Sequence, residues 1–242
     1  MSLDPPRPAQ WDDPQSTGCG IVARPGARPP ARLAGLAHPR PQRCSDPKRV
    51  RIILARHGRP AWDFGTPICG RDFAAWRRGE DAAPLDPQSR PDPALDRLIR
   101  SAACVFTSPL KRSRESAALL VPGMSSVVAA EFREADLPSE FRSGLRLRPG
   151  LWGLLARSAW LCGWSAGVDS LAMVRERAKQ AAALLQERAA REDVVALIGH
   201  GMMNMLIARE LRAAGWRGPR LPSRRHWGFA VYERGGPRPS AS

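Results

Sequence analysis

The sequence VRIILARHG, at residues 50–58, decides the fold class predicted for this chain. Its aliphatic run ends at Arg56-His57-Gly58, a pattern that predicts a buried strand followed directly by a turn. In open α/β sheets, ligands bind at the carboxyl ends of the strands. We therefore expect His57 to be a candidate nucleophile with Arg56 as an anion-binding neighbour. The alternative is a basic turn that holds an ordinary histidine.

Beyond this strand, the sequence alternates between apolar strand patterns and helical patterns. Strands are predicted over residues 50–55, 101–107, 126–130, 193–198 and 227–232, the last at an edge. Helices are predicted over residues 108–120, in two pieces over 148–191, and over 202–214. For the first helix we expect Ser108 as the N-cap and Pro109 at the first helical position. The alternation predicts an α/β fold, a three-layer α/β/α sandwich around a mostly parallel sheet.

Composition divides the chain into three parts. Residues 1–48 are rich in proline and arginine and lack apolar periodicity. We expect a disordered extension there, because such a segment cannot bury enough apolar surface to offset the entropy of ordering. Residues 49–234 form the predicted domain and residues 235–242 a flexible tail. Within the domain, residues 139–168 are expected to form part of a cap over the candidate site. The tryptophans of this last region are expected to pack in the helical layer: Trp152, Trp160 and Trp164.

The net charge of +15 raises the question of a nucleic-acid partner. Nearly all of the positive charge is arginine, and it is spread along the chain rather than gathered in one stripe with aromatic residues. We therefore predict no nucleic-acid partner, although the field should attract anionic substrates. No apolar run of about 18 residues occurs, so no membrane partner is expected. The first residues lack the pattern of a signal peptide, which predicts a cytoplasmic protein.

The five cysteines are widely scattered and form no Cys-x-x-Cys pair. This spacing is not that of a zinc site or a disulfide framework. We expect free thiols, no metal site and no cofactor.

Three predicted strands are followed by residues suited to phosphate binding. In addition to the pair at 56–57, residues 198–201 read IGHG and place His200 after a strand, while residues 108–112 read SPLKR and place Arg112 in a first helical turn. Because the carboxyl ends of parallel strands meet at one edge, these side chains are expected to lie close together. Helix N-termini add N–H donors and a positive dipole. The sequence predicts a phosphate site that needs no metal.

Four motifs occur in order along the chain: RHG at 56–58, SPLKRSRESA at 108–117, EFREADLP at 131–138 and IGHG at 198–201. This ordered set lies within about residues 50–232 and resembles the histidine phosphatase superfamily, with its phosphoglycerate-mutase-like fold. The resemblance implies a phosphoric monoester hydrolase that works through a phosphohistidine intermediate without a metal or cofactor.

The resemblance also implies roles for individual residues. His57 would attack phosphorus and carry the phosphoryl group. Arg56, Arg112 and His200 would bind the non-bridging oxygens, and His200 also belongs to the catalytic set. Glu134 would protonate the leaving oxygen and then activate water. Other acidic residues of the segment remain alternatives for this last role: Glu131, Asp136 and Glu140.

The chain departs from the family pattern just after RHG. The family often continues with x-Thr-x-x-Asn, whereas this chain has Pro60 and Asp63. Pro60 removes a hydroxyl and an N–H donor, and Asp63 adds negative charge that would weaken phosphate binding if it faced the pocket. Alternatively, Asp63 orients Arg56 or Arg112. The departures leave a second hypothesis, a weak or inactive family member that binds a phosphorylated partner.

The acidic segment also bears on the branch of the family. It lacks the Glu-Arg-x-Tyr-Gly pattern typical of mutases, so we expect a phosphatase rather than a phosphoglycerate-mutase-type phosphotransferase. The expected substrate is a small-molecule phosphoester or a phosphoprotein. His226, before the last strand, and His38 carry no functional signal.

Overall fold

A five-stranded sheet organises residues 49–235, the part of the chain that this computed structural model describes. Two predicted segments lie outside the described residues: the extension at residues 1–48 and the part of the tail at residues 236–242. The strands are β1 Arg49–Arg56, β2 Ile68–Cys69, β3 Cys104–Thr107, β4 Val127–Val128, β5 Arg146–Leu147, β6 Val194–Gly199 and β7 Phe229–Gly235. The helices are α1 Phe73–Ala82, α2 Pro93–Arg100, α3 Lys111–Leu120, α4 Pro149–Leu161, α5 Leu171–Glu192 and α6 Gly201–Ala213.

The main sheet has the strand order β4-β3-β6-β1-β7. Its first four strands are parallel to one another, and β7 pairs antiparallel with β1 at the edge. Residues 52–55 of β1 and 195–198 of β6 are fully buried, as central parallel strands covered on both faces are. This confirms the prediction of a mostly parallel sheet with an edge strand.

Helices cover both faces of the sheet, as predicted. One core cluster holds α5 and α6 against the sheet, and in it α5 buries one stripe of residues: Val174, Ala178, Ala181, Ala182 and Leu185. The other face is covered by α2 and α3, which bury Leu95, Ile99, Ala117 and Leu120. None of the helices in residues 49–235 is long and apolar enough to cross a membrane.

A small subdomain stands beside the sheet and contains most of the predicted cap. Strands β2 and β5 pair there, and α1 packs on α4 through Phe73 and Trp152. Trp160 is fully buried, as predicted for the helical layer. Trp164 is 40% exposed, so the prediction that it packs inside is wrong. It follows the turn at the end of α4, and its ring is tilted by 45° to the Phe141 ring, with the two ring centroids 5.6 Å apart.

The predicted start of the helix after β3 is also wrong. The helix begins at Lys111, and its N-cap is Leu110 in an extended conformation without a side-chain cap. The Ser108 hydroxyl accepts the Leu110 N–H at 3.2 Å and contacts His200. Ser108 therefore shapes the turn before the helix instead of capping its first turn, and Arg112 still lies in that first turn.

Candidate active site

The ends of three parallel strands bring the predicted phosphate-binding residues together. Arg56 is the last residue of β1, His200 directly follows β6, and Arg112 follows β3 by one short turn. The ring centroids of His57 and His200 are 5.0 Å apart. Arg112 Nε donates to His57 Nε2 at 3.2 Å. The structure thus places His57, His200 and Arg112 in one cluster.

His57 is held in a single orientation. Its Nδ1 lies 2.7 Å from the Gly58 carbonyl oxygen, which can only accept, so Nδ1 carries the proton and Nε2 presents a lone pair. Its backbone N–H donates to the Gly199 carbonyl at 3.0 Å. Burial, together with the charges of His200, Arg112 and Arg56, lowers the pKa of His57 well below its usual value. His57 is therefore a neutral imidazole whose Nε2 is a nucleophilic lone pair.

The turn after His57 requires a glycine. A Cβ on Gly58 would lie 2.3 Å from Trp227 Cζ2, so any other residue at this position would have to displace the Trp227 ring. The Gly58 N–H donates to Ser116 Oγ at 2.9 Å, and this hydroxyl in turn donates to the Arg112 carbonyl. The glycine therefore lets the turn after His57 pack closely against Trp227 and Leu85.

His200 is fully buried as the N-cap of α6. Its Nε2 lies 2.6 Å from Ser108 Oγ. Among residues 49–235, its buried Nδ1 has no hydrogen-bond partner. Burial is the main cause that lowers the pKa of His200 to about 3. The ring is therefore neutral near pH 7.

The two arginines of the cluster differ in their surroundings. Arg56 Nη1 donates to the Arg224 carbonyl, and its pKa is lowered, chiefly by burial. Arg112 is only 3% exposed, and its Nη1 forms an ion pair with Asp81 Oδ1 at 2.7 Å. Asp81 was not predicted as a site residue: it lies on α1, 31 positions before Arg112 in the sequence, and no motif connects the two.

Glu134 lies at the N-terminus of α6. Its carboxylate accepts the N–H groups of Ala135, Met202 and Met203 at 2.9, 3.2 and 3.0 Å. Burial alone would raise its pKa, but His200, the Ala135 N–H and Arg157 outweigh that effect, so the pKa is lowered. In the resting site Glu134 is therefore an anion held by a helix N-terminus.

The rivals of Glu134 have other surroundings. Asp136 pairs with Arg133 at 3.3 Å near the surface, Glu140 is exposed and Glu131 is half-buried. Glu134 is among the largest charge effects on the pKa values of both His200 and Arg56. Of the four carboxylates considered, Glu134 is the one joined to the histidine cluster.

The two residues that depart from the family pattern make local contacts of their own. Asp63 Oδ1 accepts the N–H groups of Gly65 and Thr66 at 2.7 and 3.2 Å in an exposed turn. The alternative that Asp63 orients Arg112 is wrong, since the carboxylate at Arg112 is Asp81. The Asp63 carboxylate therefore stabilises its own exposed turn. Pro60 forms an isolated antiparallel bridge with Leu85.

His226 joins the cluster, although the sequence analysis assigned it no functional role. Its Nδ1 lies 3.3 Å from the His57 carbonyl oxygen, and the two rings are 5.3 Å apart. Burial, followed by the charge of Arg56, lowers the pKa of His226 to about 4. The signal that identifies it is topological: an antiparallel edge strand begins at the edge where β1 ends, so residues just before β7 face His57.

No group of three or more His, Cys, Asp or Glu residues in the described range 49–235 could hold a metal ion. The arrangement offers a neutral imidazole nucleophile, two guanidinium groups, a second histidine and a carboxylate at a helix N-terminus. Together these groups can bind a phosphoryl group and transfer it to nitrogen.

Comparison with solved structures gives several similar proteins. Mycobacterial glucosyl-3-phosphoglycerate phosphatase is 18% identical, with a TM-score of 0.44, over 67% of this chain and 79% of that chain. Phosphoserine phosphatase from Entamoeba histolytica is 16% identical, with a TM-score of 0.46, over 75% and 89%. A putative α-ribazole-5′-P phosphatase from Escherichia coli is 18% identical, with a TM-score of 0.46, over 66% and 78%.

No curated protein matches the chain at the same level of significance. The family model of the histidine phosphatase superfamily (branch 1), in contrast, matches residues 52–233. That match spans the whole sheet from β1 to β7 together with the histidine and arginine cluster. The chain is therefore a member of the histidine phosphatase superfamily, branch 1.

Proposed function

We propose that this protein hydrolyses phosphomonoesters through a phosphohistidine on His57, without a metal. One observation carries the proposal. The Nε2 of His57 presents its lone pair to Arg112, while the Gly58 carbonyl fixes the proton on Nδ1. A neutral, oriented imidazole surrounded by cationic donors is the arrangement that in-line attack on a phosphoryl group requires.

In the first step the phosphoryl group takes the place of the Arg112–His57 hydrogen bond. The Nε2–P bond forms as the bond from phosphorus to the leaving oxygen breaks. The N–H group of Arg112 that donated to His57 then donates its hydrogen bond to a non-bridging phosphoryl oxygen. Arg56 binds a second non-bridging oxygen. In the His200 tautomer that carries its proton on Nδ1, Nε2 accepts a hydrogen bond from the Ser108 hydroxyl. The Nδ1–H is then available to donate to a phosphate oxygen.

Glu134 supplies the proton transfers. A bound phosphate dianion adds negative charge beside it, which raises its pKa and lets it take up a proton. It gives this proton to the leaving oxygen. It then accepts a proton from the water that attacks the phosphohistidine, which returns His57 to its neutral form. The helix N-terminus that holds Glu134 favours the ionised state needed in this second step.

The test uses p-nitrophenyl phosphate with excess chelator. Wild-type protein should release phosphate and form an acid-labile phosphoprotein, and His57→Ala should do neither. Arg112→Ala should lose most of the activity, whereas Arg114→Ala, an exposed position on the same helix, should keep it. Turnover retained in His57→Ala would overturn the mechanism.

A second candidate is a protein that binds a phosphorylated partner without turning it over. The closed state of the cluster favours it: His57 and Arg112 are each 3% exposed, and His57 Nε2 is already engaged. This candidate predicts no measurable turnover across a broad phosphoester panel, together with protein binding that inorganic phosphate competes away. Hydrolysis of any member of the panel that depends on His57 contradicts it.

A further inference from the structure

We infer that Asp81 is a positioning residue for Arg112, which it holds in the orientation that the transferred phosphoryl group needs. The inference rests on the proposed function, because Arg112 is one of the residues assigned to phosphate binding there. Asp81 lies in the subdomain beside the sheet, outside every motif that defines the site.

The geometry of Arg112 shows why one carboxylate can control it. Asp81 Oδ1 accepts from Arg112 Nη1 at 2.7 Å, and His57 Nε2 accepts from Arg112 Nε at 3.2 Å. A guanidinium group is planar, so bonds from two different nitrogens fix the direction of its remaining N–H groups. Without Asp81, the guanidinium keeps its contact with His57, which is the contact that the phosphoryl group must break.

The surroundings of Asp81 direct its charge to Arg112. The next cation, Arg77, is 4.0 Å from Asp81 Oδ1 and is already bonded to Glu80. Arg112 is 3% exposed and Asp81 31%. The buried guanidinium depends on a partner, and Asp81 provides it from the rim of the cluster, close to the reacting atoms.

A carboxylate beside a phosphate site repels the bound dianion, so Asp81 does not increase affinity for the ground state. Its benefit lies in aiming Arg112 at the charge that develops on the phosphoryl oxygens in the transition state. A residue with this role affects kcat and leaves KM unchanged or lower when it is neutralised. A residue that only joins α1 to α3 affects the stability of the protein instead.

The test is Asp81→Asn, which keeps the shape of the side chain and removes its charge. With p-nitrophenyl phosphate we expect kcat to fall about 10- to 100-fold, the range for a misaligned catalytic donor, while KM does not rise. Binding of vanadate, which mimics the five-coordinate transition state, should weaken by a similar factor. Binding of inorganic phosphate should change much less.

Asp96→Asn is the matched control. Asp96 pairs with Arg100 at 2.8 Å and is 32% exposed, nearly the same as Asp81, but it lies on α2 away from the cluster. All four quantities should stay at wild-type values in this variant. In an Arg112→Lys background, Asp81→Asn should have little further effect, because the two residues act as one unit.

The inference is overturned if Asp81→Asn keeps wild-type kcat, if it lowers only the melting temperature, or if its loss of kcat persists unchanged in the Arg112→Lys background. Wild-type protein that hydrolyses nothing, while Asp81→Asn still loses vanadate affinity selectively, refutes the proposed hydrolysis and supports the positioning role. Hydrolysis that requires His57 but not Asp81 refutes the positioning role alone.

Discussion

At the scale of single residues, existing hydrogen bonds fix the orientation and the protonation state of the side chains in the site. His57 has its proton on the side of Gly58 and its lone pair on the side of Arg112. Glu134 has its charge held by the first N–H groups of α6. Each of these groups is therefore oriented by a backbone contact, and under the proposed mechanism this reduces the reorganisation needed in the transition state.

The assignment of Glu134 as the acid makes a prediction that separates it from its neighbours. Glu134→Gln should lower kcat/KM, which reports on the transfer to His57 and not on the later attack of water, about 10²- to 10⁴-fold for alkyl phosphates, the usual contribution of general acid catalysis. The loss should be smaller for p-nitrophenyl phosphate, since its leaving group departs without a proton. Asp136→Asn serves as the control and should stay within about twofold of wild type, as surface substitutions do. Equal losses for both leaving groups would contradict the role as an acid.

Several of these residues could be predicted from the sequence, and others could not. His57, Arg112 and His200 are found because each follows a predicted strand, and parallel strands end at one edge. Asp81 reaches the cluster through the packing of α1 near α3, and His226 through the antiparallel direction of β7. Both depend on tertiary arrangement, which the local pattern of the sequence does not contain.

At the scale of elements, the turn between β3 and α3 links the strand ends to the arginine. Ser113 is fully buried in the first turn of α3, where its hydroxyl accepts the Ser108 N–H at 3.1 Å and donates to the Ile198 carbonyl. It thereby ties α3 to β6, and it is the residue next to Arg112. The late start of the helix has a different cause: the Ser108 hydroxyl contacts His200 and accepts the Leu110 N–H, so it does not cap α3.

Ser113→Ala should therefore destabilise the fold. It leaves a buried N–H without its partner, a loss of about 1–3 kcal/mol in the free energy of unfolding. Urea denaturation measures the loss. Ser125→Ala, an exposed position after α3, should remain within about 0.5 kcal/mol of wild type. A Ser113→Ala protein as stable as this control would show that the hydroxyl does not join the two elements.

At the scale of the whole molecule, burial of three histidines at one edge of the sheet couples stability to pH. Each of His57, His200 and His226 has a lowered pKa in the folded protein, with burial as the largest cause. In the unfolded chain they take up protons below about pH 6.5. Protons then favour the unfolded state, so stability is fully present above pH 6.5 and falls as the pH drops toward the folded values.

Chemical denaturation between pH 4.5 and 7 tests this coupling. The free energy of unfolding should decrease toward pH 4.5, with a slope of at most about 1.4 kcal/mol per pH unit for each fully buried histidine. The His200→Gln variant lacks one titrating group, and its slope should be shallower by up to that amount. The window lies above the lowered pKa of Glu134, which loses its contribution only at more acidic pH. A slope unaffected by the substitution would contradict the assignment.

The pairing of β1 with β7 has a practical consequence for immobilising the protein or fusing it to another domain. Arg49 pairs with Gly235, at the end of β1 opposite to His57. The two ends of the folded domain are therefore neighbours, and both lie far from the edge where the histidines meet. A surface tether or fused domain attached at residue 49 or 235 would leave the edge that holds His57 facing outward. A short peptide joining residues 49 and 235 would close the chain into a circle, so that new ends could be opened in a surface loop.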